Sequence, residues 1–209
     1  MEKKEIVRKG YNKVAEKISD GYKQVLKDES HIVNLLTDFI AKIPKDGRVL
    51  DVGCGNGVYS RYLSDRFNVI GIDISEKQIE LAKQNVPKAE FRCEDMTKID
   101  FPYEFFDGII AFYSIIHVPR DEHFDLLRNF YRILKFNGIA LLVFGINDDL
   151  ESYEQNFFNK GVKMYWSSFD KNTNLNMVKK VGFNIIWANS VKESEKWGDN
   201  SHLFVFVEK

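Results

Sequence analysis

The chain of 209 residues predicts an α/β fold, a doubly wound and mostly parallel sheet in a single domain. Three observations carry that reading. Strand-like runs alternate with helical ones through the middle of the chain. A glycine-rich turn, "GCGNG", joins the first of these strands to a helix. The run "FDGIIAFYS" is apolar nearly throughout, as a strand covered on both faces must be.

Residues 1–44 read as helical. "YNKVAEKISDGYKQVL" sets Tyr11, Ala15, Ile18, Tyr22 and Val25 on one stripe, and Gly21 predicts a break there. Ser30 caps a second helix that carries Leu35, Leu36, Phe39 and Ile40 and stops near Pro44. Residues 45–146 form the alternating core. "RVLDV" is the first strand, followed by the turn and the helix "VYSRYLSDRF". "NVIGID" is the second, followed by a helix with Ser75 and Gln78 as a capping box, Ile79, Ala82 and Val86 on its inner face, and Pro87 at its end. "AEFRCED" and "FDGIIAFYS" are the third and fourth, and the loop "IIHVPRDE" leads into the helix "HFDLLRNFYRILK", which Asn137 and Gly138 are expected to end in a left-handed turn. "IALLVF" is the fifth.

Residues 147–170 are aromatic without a period and read as an insertion. Residues 171–209 supply a helix, "NLNMVKKVG", and a strand pair, "FNIIWANSV" and "HLFVFVEK", the last strand antiparallel to the rest. In such sheets ligands sit at the carboxyl ends of the strands, near the reversal of strand order.

Composition narrows the function. Apolar residues make up 44% and charged residues 29%, as in an ordinary globular domain. A net charge of −1 lacks the basic excess of a general nucleic-acid binder. No apolar run reaches the roughly 18 residues of a membrane span, and "MEKKEIVRKG" lacks the apolar core of a secretory signal. Cys54 and Cys93 form neither a disulfide framework nor a metal-binding spacing, so a reducing cytoplasm and no metal are expected. The aromatics between Tyr153 and Phe169 could bury a dimer contact, so a monomer or homodimer is expected.

Asp51 with Gly53, Gly55 and Gly57 spells D-x-G-x-G-x-G. The dinucleotide fingerprint would put its third glycine where Val58 stands. Asp73 ends the second strand twenty positions after Gly53, the offset of an acid that holds an adenosine ribose. Asp51 would repel a diphosphate but attract an ammonium group. S-adenosylmethionine carries that ammonium and no phosphate, and its carboxylate is expected to take the turn amides that a nucleotide would give to phosphate.

At this point the sequence resembles the class I S-adenosylmethionine-dependent methyltransferases of the small-molecule branch, Rossmann-like in fold, through "VLDVGCGNG", "VIGIDIS", "CEDM" and "FDGIIAFYSIIHV". The resemblance implies that Gly53, Cys54, Gly55, Asn56 and Gly57 wrap the methionine part of the cofactor, with Asp51 toward its amino group and Asp73 on the ribose. It also implies that Ile74 and Met96 pack on adenine, that Asp95 accepts from the adenine amine, and that the Phe112 backbone meets the cofactor. Asp51, Asp73 and Asp95 could instead cap turns, and Ile74 and Met96 could be ordinary core. The resemblance implies that residues 1–44 act as a lid over the cofactor, and Tyr11 and Tyr22 either reach the methionine carboxylate from it or belong to its apolar stripe. "LKFNG" departs from the family's Pro-Gly-Gly turn without touching chemistry.

Methyl transfer from a sulfonium needs alignment more than acid-base help, so the lack of a catalytic triad is no objection. A hydroxyl acceptor still has to lose a proton, and His117 is the candidate base, with a hydrogen bond to loop backbone as the alternative. Tyr113, Tyr165 and Trp166 are candidates to line an apolar or planar acceptor. His123 is expected to be solvated, His31 to start a helix, and His202 to be a weaker pocket candidate. "AFYS" is not the Asn-Pro-Pro-Tyr of adenine or glutamine amino-methylation. A small-molecule acceptor is therefore expected, with a non-catalytic cofactor-binding protein and an NAD-dependent oxidoreductase as alternatives.

Overall fold

The computed structural model describes residues 2–28, 30–146, 151–192 and 201–209, and of residues 18–31 the backbone alone. Helices α1 (Glu2–Asp28) and α2 (Ser30–Lys42) precede the sheet. The alternating part follows as β1 (Arg48–Val52), α3 (Val58–Leu63), β2 (Asn68–Asp73), α4 (Glu76–Asn85), β3 (Glu90–Cys93) and β4 (Phe106–Ala111). After two 3-10 turns, Ile115–His117 and Arg120–Glu122, come α5 (His123–Ile133), β5 (Leu134–Gly145), β6 (Glu151–Glu154), β7 (Met164–Ser167), α6 (Lys171–Val181), β8 (Asn184–Lys192) and β9 (Ser201–Glu208).

Seven strands form one sheet in the order β3-β2-β1-β4-β5-β9-β8. Pairing from β3 through β5 is parallel, and β9 runs antiparallel to both β5 and β8. The predicted fold class is the observed one.

Alternation along the central strands sorts side chains onto two cores. Leu50, Val52, Ile109 and Ala111 join Leu126, Leu127, Phe130 and Val178 on the α5/α6 face. Val49, Ile110 and Phe112 join Leu36, Phe39 and Leu63 on the α2/α3 face. A third cluster lies off the sheet: Val7 and Val14 of α1 pack with Phe157, Val162, Met164 and Tyr165, so α1 and the β6–β7 region share one small core.

Four expectations need correction. Gly21 does not break α1, which runs continuously from Glu2 to Asp28. Asn137 and Gly138 do not end α5. It stops at Ile133 because Leu134, fully buried, is taken into the sheet opposite Phe106. Asn137, at φ 60, then sits in a bulge of β5 between the pairs Phe106/Leu134 and Gly108/Ile139. His123 is not solvated but buried, its Nε2 within 3.0 Å of the Val118 carbonyl and 3.1 Å of Ser167 Oγ. The aperiodic segment holds a small sheet of its own, β6 paired antiparallel with β7. Every residue of β6 is exposed, so burial left no alternation to read there.

Candidate functional site

The glycine turn begins one residue past β1 and occupies the carboxyl end of the central strands. Gly53 has φ 73, and a Cβ added to it would lie 2.2 Å from Ser114 Cβ. Ser114 is fixed there by its hydroxyl, which donates to the Val52 carbonyl at 2.7 Å. The segment after β4 therefore crosses the turn at a distance only glycine permits. Gly57, at φ 84, starts α3 in the left-handed region.

The amides of this turn point inward. Gly53 N and Cys54 N both donate to the Ile72 carbonyl, at 2.8 and 2.9 Å, and Gly57 N donates to the Cys54 carbonyl at 2.9 Å. Gly55 N donates to Asp73 Oδ2 at 2.9 Å. The expectation that this turn offers its amides to a ligand carboxylate is corrected for these four positions, because each N–H already has its acceptor. Those four amides are therefore not available to a phosphate either. Asn56 is buried and its carbonyl accepts from Asn85 Nδ2 at 3.0 Å. The Cys54 thiol is buried beneath the turn, and burial pushes its pKa well up, so it stays protonated. Gln78 Oε1 is buried without a hydrogen-bond partner among the described residues and lies 3.8 Å from the position of a Gly55 Cβ.

Two carboxylates flank the turn. Asp51 is 1% exposed, opposite Gly71 and Ile110 in the ladder, and accepts from Ser60 Oγ at 2.6 Å. Burial pushes its pKa up to about 7, the Ser60 hydroxyl opposes the rise, and the charge of Asp73 adds to it. Asp73 uses Oδ2 for Gly55 N and Oδ1 for Ser75 N, at 2.8 Å, which leaves a lone pair on each oxygen for a further donor. Burial raises its pKa to about 6 against those backbone donors. An ammonium group is the partner that would restore the charge of both acids.

Beyond β2 and β3 lie the other predicted contacts. Ser75 Oγ accepts from Gln78 N at 3.2 Å, the backbone half of the expected capping box. Ile74 packs against the α1 cluster. Asp95 accepts from Thr97 N at 3.0 Å and Thr97 Oγ1 at 2.9 Å, and from Lys4 Nζ of α1 at 3.0 Å. Its pKa is lowered, with burial opposing and the Thr97 and Lys4 donors prevailing. Met96 Cε lies 3.6 Å from the position of a Gly53 Cβ, over the turn. Phe112 turns its ring into the α2/α3 core, 4.6 Å from the ring of Tyr59.

His117 ends the first 3-10 turn after β4. It is buried, and both ring nitrogens are engaged: Nδ1 lies 2.8 Å from the Tyr165 carbonyl and Nε2 2.7 Å from the Tyr11 hydroxyl. A carbonyl can only accept, so Nδ1 carries the proton and Tyr11 donates to the lone pair on Nε2. Burial pushes the imidazole pKa down to about 4, and the ring is neutral at pH 7. Around it the centroids of Tyr11, Phe157 and Trp166 close a circuit: Tyr11–Phe157 5.6 Å, Phe157–Trp166 5.7 Å, Trp166–His117 4.5 Å and His117–Tyr11 5.2 Å. Tyr165 itself is fully buried, and its hydroxyl donates to Glu151 at 2.6 Å. Tyr113, at φ 51 just past β4, sets its ring edge-on to His202 of β9 at 5.1 Å. The structure thus brings Tyr11, His117, Tyr165 and Trp166 together. Tyr22 and the side chain of His31 lie outside the described side chains.

Sequence reasoning missed Ser114, Lys4 and the pairing of Tyr11 with His117 across 106 positions. Only Tyr11 left a signal, as a polar-tipped residue on the inner stripe of α1. The side chains of Lys4 and Ser114 carry no periodic or motif signature.

The comparisons agree with this geometry. Residues 49–138 match the model of a family described as "Methyltransferase domain". A crystallised S-adenosylmethionine-dependent methyltransferase from Methanosarcina mazei superposes with a TM-score of 0.71 at 20% identity, covering 81% of this chain and 95% of that one. The 1,6-didemethyltoxoflavin-N1-methyltransferase of Burkholderia thailandensis, solved with its substrate and S-adenosylhomocysteine, superposes with a TM-score of 0.72 at 17% identity, covering 100% and 89%. At those identities the likeness is one of fold. YqeM of Bacillus subtilis (strain 168), named as a methyltransferase, is 28% identical over 159 residues, 70% of this chain, and the chain spans 63% of that protein's length. Over residues 49–138 the chain is similar to a methyltransferase domain, and its architecture is the Rossmann-like fold of the solved methyltransferases. The residues present fit S-adenosylmethionine as a cofactor: a buried acid pair, Asp51 and Asp73, and a turn that admits no Cβ at Gly53.

Proposed function

We propose that this chain transfers a methyl group from S-adenosylmethionine to an oxygen or nitrogen atom of a small-molecule acceptor by in-line displacement. The observation that carries the reading is the buried Asp51 beside a turn in which the Gly53, Cys54, Gly55 and Gly57 amides already have acceptors, a site better suited to an amino group than to a diphosphate. When bound, the cofactor supplies a methyl on a sulfonium whose leaving group is a neutral thioether. The chain's own residues then bind, orient and take up a proton.

In this reading the turn from Gly53 through Cys54, Gly55 and Asn56 to Gly57 encloses the methionine part, Asp51 faces its amino group, and Asp73 gives its free lone pairs to the ribose hydroxyls. Ile74 and Met96 take the adenine faces, Asp95 the adenine amine, and the Phe112 backbone the amino-acid end. Residues 1–44 act as the lid, 45–146 as the cofactor core, 147–170 as the acceptor-side insertion and 171–209 as the closing helix and strand pair. Tyr113, Trp166 and the Tyr165 backbone border the acceptor. No helix among the described residues is long and apolar enough to cross a membrane. We place the activity in the cytoplasm, as a monomer or homodimer acting without a metal.

In this reading His117 Nε2 is the proton acceptor of the site, with the methyl acceptor's hydroxyl taking the place of Tyr11 at its lone pair. Its tautomer is fixed by Tyr165, its lone pair faces Tyr11, and burial keeps it unprotonated throughout the physiological range. A pH–rate profile is therefore expected to show no inflection near 6.5, the position of an exposed histidine; an inflection there that vanishes in His117→Gln would contradict the buried, neutral ring.

Asp51 makes cofactor affinity proton-linked. In the free protein it holds a proton up to about pH 7, and a cofactor ammonium favours the ionised form. Affinity for S-adenosylhomocysteine is expected to fall as pH drops from 7.5 to 6, by at most about tenfold per unit, with proton release on binding. The same raised pKa means the free protein's folding contribution from Asp51 is present below the unfolded value of 3.8 and is lost as pH rises through about 7. Calorimetry in buffers of different ionisation enthalpy reads the release; a pH-independent affinity contradicts it.

For Asp73→Ala, S-adenosylhomocysteine affinity is expected to fall by about 2 kcal/mol or more, since two ribose hydroxyls lose a charged acceptor. Unchanged affinity would remove Asp73 from the site. The proposed activity itself is tested by incubating the protein with methyl-labelled cofactor and fractions of small metabolites. Label in an acceptor is the expected result, and cofactor binding without transfer to any fraction would leave a binding protein only.

A further inference from the structure

Helix α1 grips both loops that flank the proposed adenine position. On the side of β2, Asn12 Oδ1 accepts from Ser75 Oγ at 2.7 Å and from Lys77 N at 3.1 Å, Asn12 Nδ2 donates to Glu76 at 2.7 Å, and Arg8 pairs with Glu76. On the side of β3, Lys4 Nζ donates to Asp95 Oδ2, Thr97 Oγ1 and Glu122 Oε2. Three acceptors match the three protons of an ammonium group, so nothing of its donor capacity is left over. The pair is largely shielded, with side-chain exposures of 13% for Lys4 and 17% for Asp95, where a charge-assisted bond holds its geometry better than at an open surface. Thr97 and Lys4 between them use both oxygens of Asp95, which fixes the plane of its carboxylate.

We infer that Lys4 is a cofactor-positioning residue: by binding Asp95 and Thr97 from α1, it fixes the carboxylate that meets the adenine amino group. The inference rests on the reading of Asp95 as the adenine acceptor. Lys4 touches no reacting atom and acts through Asp95. It also joins that loop to Glu122 of the second 3-10 turn.

The test compares two ligands on one protein. S-adenosylhomocysteine carries the 6-amino group, and its 6-oxo analogue, with hypoxanthine for adenine, does not. Each is titrated calorimetrically into the wild type, Lys4→Met, Lys4→Arg and Asp95→Ala. A lysine that acts through Asp95 predicts that Lys4→Met binds S-adenosylhomocysteine about tenfold more weakly while its affinity for the analogue stays within about twofold, and that Lys4→Arg keeps most of the wild-type preference. Equal weakening for both ligands would make Lys4 an anchor of α1 alone and overturn the inference, as would wild-type affinities in Lys4→Met. The ratio of the two affinities, taken on the same folded sample, is insensitive to a partial loss of stability. If Asp95→Ala keeps the wild-type ratio, the adenine reading of Asp95 fails and the inference with it. If Asp95→Ala loses the ratio and Lys4→Met keeps it, only the role of Lys4 fails.

Discussion

Alanine at Gly53 is expected to lower S-adenosylhomocysteine affinity by at least about a hundredfold and to destabilise the fold. The new Cβ would stand 2.2 Å from Ser114 Cβ, far inside van der Waals contact, and φ 73 would place an alanine in the left-handed region. Overpacking costs about 1–3 kcal/mol and the left-handed conformation about 1–2 kcal/mol, so a loss of roughly 2–5 kcal/mol follows. Ser114 cannot retreat freely, because its hydroxyl is bonded to the Val52 carbonyl at the end of β1. Relief has to come from the turn, which also carries the Gly55 amide to Asp73. Thermal unfolding and titration read the two losses. The double variant Gly53→Ala, Ser114→Gly is expected to recover part of both, since it removes the colliding carbon and leaves only the backbone strain. A single variant with wild-type unfolding and affinity would mean that the close crossing at Ser114 does not constrain the turn.

His117→Ala is the second large effect, and it separates chemistry from binding. Turnover is expected to fall by about 10²–10⁴, the usual worth of a positioned general base, while S-adenosylhomocysteine affinity stays within about twofold, because no cofactor contact is assigned to the ring. Tyr11→Phe is expected to lower turnover less, since Nε2 keeps its lone pair but loses the hydroxyl that orients it from α1. The pattern to look for is a fall in kcat without a rise in the cofactor dissociation constant. Normal turnover in His117→Ala would leave the residue as a support for β7 through the Tyr165 carbonyl.

The sheet was legible in the sequence because its strands are buried on both faces and its turn chemistry is local. "VLDVGCGNG" shows a strand end, a left-handed turn and a helix start within nine residues, and each is where the structure has it. The positions of Asp51 in β1 and Asp73 at the end of β2, beside the glycine turn, were legible for the same reason, as acids at fixed offsets from glycines. What failed depended on contacts remote in sequence. Leu134 left α5 for the sheet because burial opposite Phe106 outweighed the turn preference of Asn137 and Gly138. His123, polar on a helix that faces solvent elsewhere, is buried because Ser167 and the Val118 carbonyl meet it. Glycine at position 21 was too weak a breaker to interrupt a helix of 27 residues. The inward turning of the Gly53, Cys54 and Gly55 amides is a property of the Ile72 carbonyl and of Asp73 together, and no single motif encodes it.

The central claim is that the crevice above β1 and β2 takes an amino acid joined to adenosine. Parallel calorimetric titrations of the full chain with S-adenosylhomocysteine and with NAD test it most directly. The account predicts saturable binding of S-adenosylhomocysteine that Asp73→Ala weakens, and no heat from NAD. Saturation by NAD with none by S-adenosylhomocysteine would contradict it.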